Sequence, residues 1–188
     1  MATVVIHPGY DDSGPDHWQS LWQHTHPEYV RIRQRDWPYP ACDEWVATLE
    51  HTLSRLAPPF VLVAHSLGCL TIAHWALRYH DSPTVAAVHA ALLVAPPDIE
   101  ALKHSPDPAY ASLPEFPGFT PHPKIRLPFA SVVVSSTNDP WCPQSRAREL
   151  AAAWGSRFID AGPRQHINTV AGFGPWPEGE RLLAELLT

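Results

Sequence analysis

Short β-branched apolar runs alternate with helical patterns along almost the whole chain. Residues 3–7 (TVVIH), 29–33, 60–65 (FVLVAH), 88–95, 130–135 (ASVVVS) and 157–161 carry the strand signal. Three of these are unbroken apolar runs, the pattern of parallel strands covered on both faces. Helical spacing marks 16–24, 42–56, 67–79 and 143–154, and 178–187 closes the chain. Within 42–56, Trp45, Val46, Leu49, Leu53 and Leu56 form a single stripe. Alternation at this interval predicts right-handed crossovers, hence an α/β fold with a mainly parallel, six-stranded sheet and helices on both faces.

One stretch breaks the pattern. Residues 96–128 hold nine prolines and little helical periodicity. Each proline removes a backbone donor, so a long ordered loop is expected there, with one short helix near 98–103. A disordered linker is the other reading, but only two strands and two helices follow it. That is too little for a second domain, so 1–188 is read as one.

Composition narrows the function classes. The chain is 45% hydrophobic and 17% charged, with 22 prolines and 9 glycines among 188 residues, which excludes a helical bundle. Thirteen basic and nineteen acidic residues give a net charge of -6. Only Lys103 and Lys124 are lysines and no basic run occurs, which argues against nucleic-acid and anionic-membrane surfaces. Cys42, Cys69 and Cys142 are odd in number and form no C-x-x-C pair, as in a reduced cytoplasmic protein. The apolar run at 3–7 lacks a preceding basic segment and reads as a strand rather than a signal peptide. No uncharged stretch approaches the ~20 apolar residues of a bilayer span.

The candidate chemistry begins at AHSLG, residues 64–68. It follows an apolar strand, opens a helix and matches the G-x-S-x-G elbow with Ala64 in first place. Such a turn presents Ser66 at a strand's carboxyl end, over a helix N-terminus. The plainer use of a serine there is a helix N-cap. A serine needs a base, and the order Ser, acid, His is met by Asp139 and His166. Asp139 ends a buried strand, and His166 lies in the loop after the last one. Their plainer readings are an Asp-Pro turn and a surface histidine. His65 belongs to the elbow, with its side chain expected to point away from Ser66. His7 is expected to line the site, whereas His24 and His26 lack a third metal ligand. An oxyanion hole needs two backbone donors. Leu67 N–H is one, and the loop at 7–14 supplies the other through Tyr10 N–H, with Asp11 second. An ordinary strand-to-helix loop is the alternative there.

With these residues in view, the chain resembles the small α/β-hydrolases of the retinoblastoma-binding-protein-nine type. The likeness rests on HPG at 7–9 with His17 and Trp18, AHSLG, LVAP at 93–96 with Asp98, and STNDP at 136–140. AWGS at 153–156, HIN at 166–168 and GFGPWPEG at 172–179 complete it. It implies a compact α/β-hydrolase fold without a large lid and a triad of Ser66, Asp139 and His166. Gln165 stands where that family commonly has glycine. The 96–128 loop is expected to rim the pocket. Gly9, Tyr10, Trp18, Phe116 and Trp141 are the expected substrate contacts, with Phe119 and Trp176 further candidates.

The reading is therefore a serine hydrolase of small esters or amides that needs no cofactor or metal. Competing readings are an aminopeptidase or amidase, with Asp11, Asp12, Asp98 or Glu115 holding the amine, and a non-catalytic protein-binding module. The sequence identifies no protein partner.

Overall fold

A computed structural model describes residues 2–188. Six parallel strands form one sheet in the order β2-β1-β3-β4-β5-β6. They are β1 (Thr3–His7), β2 (Val30–Arg31), β3 (Phe60–His65), β4 (Val88–Val94), β5 (Ala130–Ser135) and β6 (Arg157–Asp160). The longer helices are α1 (Trp18–Thr25), α2 (Cys42–Leu53), α3 (Leu67–Arg78), α6 (Gln144–Trp154) and α7 (Pro177–Leu186). Two single-turn helices, α4 (Pro83–Ala86) and α5 (Ile99–Leu102), sit between them.

The apolar runs explain the layers. All six residues of β3 are buried, because both faces of this central strand are covered. Val5, Leu62, Ala64, Ala91, Leu93 and Val133 pack against α2, α3 and α6 on one face. Val4, Ile6, Val61, Val63, Leu92 and Val94 meet α1 and α7 on the other. The stripe on α2 is buried at Trp45, Val46, Leu49 and Leu53.

Three expectations need adjustment. The strand at 29–33 shrinks to two residues, because an edge strand pairs with only one neighbour, here through Val5 with Val30 and Ile6 with Arg31. The strand at 88–95 stops at Val94, since Ala95 turns to a positive φ of 51°. The helix α4, unforeseen in the sequence, starts where Ser82 caps Val85 N–H and Pro83 presets the first turn.

The 96–128 segment is an ordered strap. Its Phe119 and Leu127 enter the core beside α2 and α6. Trp154 Nε1 donates to the Pro123 carbonyl at 2.9 Å, and Cys42 N–H to that of Pro117 at 3.0 Å. Among the described residues, no helix is long and apolar enough to cross a membrane.

Chain direction fixes where a site can form. From β1 the chain steps outward to β2, then crosses to β3 on the opposite side of β1. The carboxyl ends of β1 and β3 thus flank a topological switch point, with His7 and Ala64 in register. Crevices for ligands open at such points.

Candidate active site

Ser66 follows β3 directly and adopts φ 54° and ψ −126°. A serine in this region is strained, as an elbow between strand and helix requires. Its hydroxyl makes no N-cap bond. Instead it lies 2.8 Å from His166 Nε2. His166 Nδ1 in turn lies 2.9 and 3.0 Å from the two carboxylate oxygens of Asp139. Three residues from three loops at the sheet's carboxyl edge thus form one continuous relay. Asp139 Oδ1 also accepts Trp141 N–H at 2.9 Å, which fixes the carboxylate independently of the histidine.

Two glycines make the elbow possible. A methyl group on Gly9 would sit 2.7 Å from Ser66 Cβ and 3.3 Å from Leu67 N. One on Gly68 would meet the His7 and Pro8 carbonyls at 2.6 and 2.7 Å. The loop after β1 therefore lies directly against the turn at Ser66, a fit only glycine permits. Gln19 anchors this loop from below, donating to the His7 and Val63 carbonyls at 3.2 and 3.3 Å and accepting from Ser13 Oγ. Asp11 N–H is engaged by the Trp37 carbonyl and Asp12 N–H by that of Gly9. Among the described residues, Tyr10 N–H and Leu67 N–H have no protein acceptor.

A cleft of about 490 Å³ opens over Ser66 and His166. Tyr10, Asp11, His17, Trp141 and Asn168 help to line it. Trp141 stacks on His166 with ring centroids 5.4 Å apart. Burial raises the Tyr10 phenol, and Asp11 and Tyr39 add to the effect. Burial also pulls His17 down to about 4, assisted by Arg31 and His166. His17 is therefore neutral, and its Nδ1 accepts Gln19 N–H at the start of α1.

Several expected wall residues lie elsewhere. Trp18 is 0% exposed and packs under the histidine loop, where its Nε1 donates to the Ile167 carbonyl at 2.9 Å. Phe116 reaches the cleft only through edge contact with Tyr10, and lines a neighbouring cavity beneath the strap. Phe119 and Trp176 are core residues. His7 is buried behind the loop, its Nδ1–H held by the Pro8 carbonyl at 2.8 Å, and burial lowers it to about 4. These aromatic positions lacked a sequence signal separating wall from core, since both uses favour the same residues.

The histidine loop rests on an aromatic stack. Trp176 sits edge-on to Trp18 at 5.1 Å and parallel to Trp22 at 6.0 Å. Its ring covers Gly179, where any Cβ would collide with it. Trp176→Ala is expected to destabilise the fold by ~3–5 kcal/mol. Through Trp18 it also loosens Ile167, so turnover is expected to fall by a similar factor for every substrate. A melting curve and a substrate series read both effects. Unchanged stability with a shifted KM for bulky substrates alone would make Trp176 a pocket wall.

Asp98, Glu100 and His122 bring possible metal-ligating atoms within 4.8 Å of one another. Arg146 already fills that space, 2.7 Å from Glu100 Oε2, 3.5 Å from Asp98 Oδ2 and 3.3 Å from His122 Nδ1. A guanidinium supplies the positive charge there and ties the strap to α6. The residues do not suit a cation.

The sheet, the switch-point cleft and the elbow define an α/β-hydrolase. The chain belongs to the serine hydrolase family, whose model matches residues 4–185. It is similar to a YdeN-like hydrolase from Pectobacterium atrosepticum, 32% identical, with 99% of this chain and 90% of that one covered and a TM-score of 0.81. The ydeN gene product of B. subtilis aligns at 20% identity over 100% of this chain and 99% of that one, TM-score 0.73. Carboxylesterase CesB from Bacillus subtilis shares the fold at 13% identity, TM-score 0.62, covering 97% and 83%. No curated protein matches the chain.

Proposed function

We propose that this serine hydrolase cleaves small carboxylic esters through an acyl-enzyme and is of the retinoblastoma-binding-protein-nine type. The observation that carries this reading is the unbroken relay Ser66–His166–Asp139, with contacts of 2.8 Å and 2.9 Å. In this reading Ser66 Oγ attacks the carbonyl carbon while His166 Nε2 takes its proton. Asp139 holds the Nδ1–H tautomer and stabilises the imidazolium. Collapse of the tetrahedral intermediate expels the alcohol, which receives the proton from His166. Water, activated by the same histidine, then releases the acid.

The oxyanion donors in this reading are Leu67 N–H and Tyr10 N–H. What supports the choice is that both lack a protein acceptor among the described residues, whereas Asp11 N–H is already bonded. Gly9 contributes by its absence of a side chain, and Trp141 and Tyr10 by flanking the acyl group. A second reading, hydrolysis of small amine-bearing amides, is favoured by Asp11, Asp12 and Asp16 on one cleft wall. Arg31 engages Asp12 at 2.6 Å, which leaves Asp11 and Asp16 for an amine. Asp98 and Glu115 are committed elsewhere, to Arg146 and Lys103.

The test is rapid mixing with p-nitrophenyl acetate, alongside an aminoacyl anilide. A burst of nitrophenolate equal to the enzyme, then steady turnover, is the expected outcome. Folded protein that releases none above buffer contradicts the reading. Faster anilide cleavage selects the amide alternative.

A further inference from the structure

We infer that His65, the residue before the nucleophile, is a positioning residue that holds the base loop in place through the His166 main-chain carbonyl. This rests on the reading of Ser66 and His166 as nucleophile and base.

The loop that carries His166 is held in a costly shape. Gln165 and Ile167, on either side of the base, have φ of 47° and 48°. Positive φ is unfavourable for both, and most so for a β-branched isoleucine. Glycine alone adopts this region freely. Strained loops persist only where their surroundings over-determine them. Here Arg164 N–H donates to Ser136 Oγ at 2.8 Å, and Gln165 N–H to Asn138 Oδ1 at 2.7 Å. Those bonds tether the approach to the base from the β5 side. The departing side is held by two carbonyl contacts: His65 Nε2 to His166 O at 2.9 Å, and Trp18 Nε1 to Ile167 O at 2.9 Å.

The His65 contact spans 101 positions of sequence and joins the same two segments as the reactive pair. One bond links Ser66 Oγ to His166 Nε2, and the other links the side chain preceding Ser66 to the main-chain carbonyl of His166 itself. Two bonds between one pair of segments fix both distance and orientation, which a single hydrogen bond cannot. The imidazole is wedged between His17 and His166, at ring distances of 4.8 and 4.9 Å. Because a carbonyl only accepts, Nε2 must carry the proton. Burial keeps His65 far below the usual histidine range, with His17 and His166 adding to the effect, so the ring stays neutral and Nε2 holds its one proton. Loss of the donor would leave a buried carbonyl unsatisfied and free the loop to relax, carrying Nε2 of the base away from Ser66. Displacements of about 1 Å in such geometry cost on the order of 100-fold in rate.

The experiment compares His65→Leu, which fills the space without donating, with His65→Gln, which restores an N–H at similar reach. With p-nitrophenyl acetate, His65→Leu should lower kcat by about 10–100-fold with KM changed less than about twofold. His65→Gln should recover most of the loss. Wild-type kcat in His65→Leu, or equal losses in the two variants, would overturn the inference. Nitrogen-15 NMR of histidine-labelled wild-type protein decides the matter even where His65→Leu does not fold. The expected signature is an Nε2–H tautomer for His65, coupled across the hydrogen bond to the His166 carbonyl carbon, and an Nδ1–H tautomer would overturn it. Ser66→Ala separates the two levels. An active Ser66→Ala removes the underlying reading, whereas an inert Ser66→Ala beside a fully active His65→Leu removes the positioning role alone.

Discussion

Ser66→Ala should lower kcat by about a millionfold while leaving the protein folded. The loss is large because, among the described residues, no other hydroxyl or thiol lies within hydrogen-bond distance of His166 Nε2. Cys69 is fully buried, its thiol bonded to the Val94 carbonyl and pushed far up by burial. Activity about 10³–10⁴-fold above the uncatalysed reaction should survive, since the backbone donors and the cleft remain. Stability should hold, because Ser66 Oγ caps no helix and its described partner is His166. A melting temperature within a few degrees of wild type confirms that the loss is chemical. A variant that turns over within about tenfold of the wild-type rate would place the nucleophile elsewhere.

Asp139→Asn should cost about four powers of ten in kcat, for a different reason. The amide oxygen can still accept Trp141 N–H, now made by Oδ1 at 2.9 Å. The amide nitrogen would then face His166 Nδ1 as a donor, so the ring must present its lone pair there and carry its proton on Nε2. That proton points at Ser66 Oγ, and the base can no longer accept. The loss appears in kcat at every pH where the wild type works. A variant within about tenfold of wild type would reduce Asp139 to a turn residue.

Much of this site was legible because its signals are local. The buried run of β3, the small residues at 64 and 68 and the helical run from Leu67 lie within twenty positions and specify the elbow together. Asp139 and His166 were expected beside Ser66 because each follows a strand in an order that the fold imposes, and the structure brings the three side chains together. The edge strand β2 was overdrawn, since apolar residues there do not reveal how many neighbours a strand has. The aromatic residues were hardest to place. Trp18, Trp176, Phe119 and Trp141 have the same sequence character, yet only Trp141 reaches the cleft. Their sides are set by packing between segments far apart in sequence. His65 shows the same limit. Strand alternation predicts a side chain turned away from Ser66, but the carbonyl it meets belongs to a loop 101 residues later.

The central claim is that Ser66 is a nucleophile activated by His166, and covalent labelling tests it most directly. A fluorophosphonate probe should phosphonylate Ser66 Oγ with loss of fluoride, one label per chain, located by mass spectrometry on the peptide containing AHSLG. Ser66→Ala should take up none. A label on any other residue, or well-folded wild-type protein that remains unlabelled, would contradict the account.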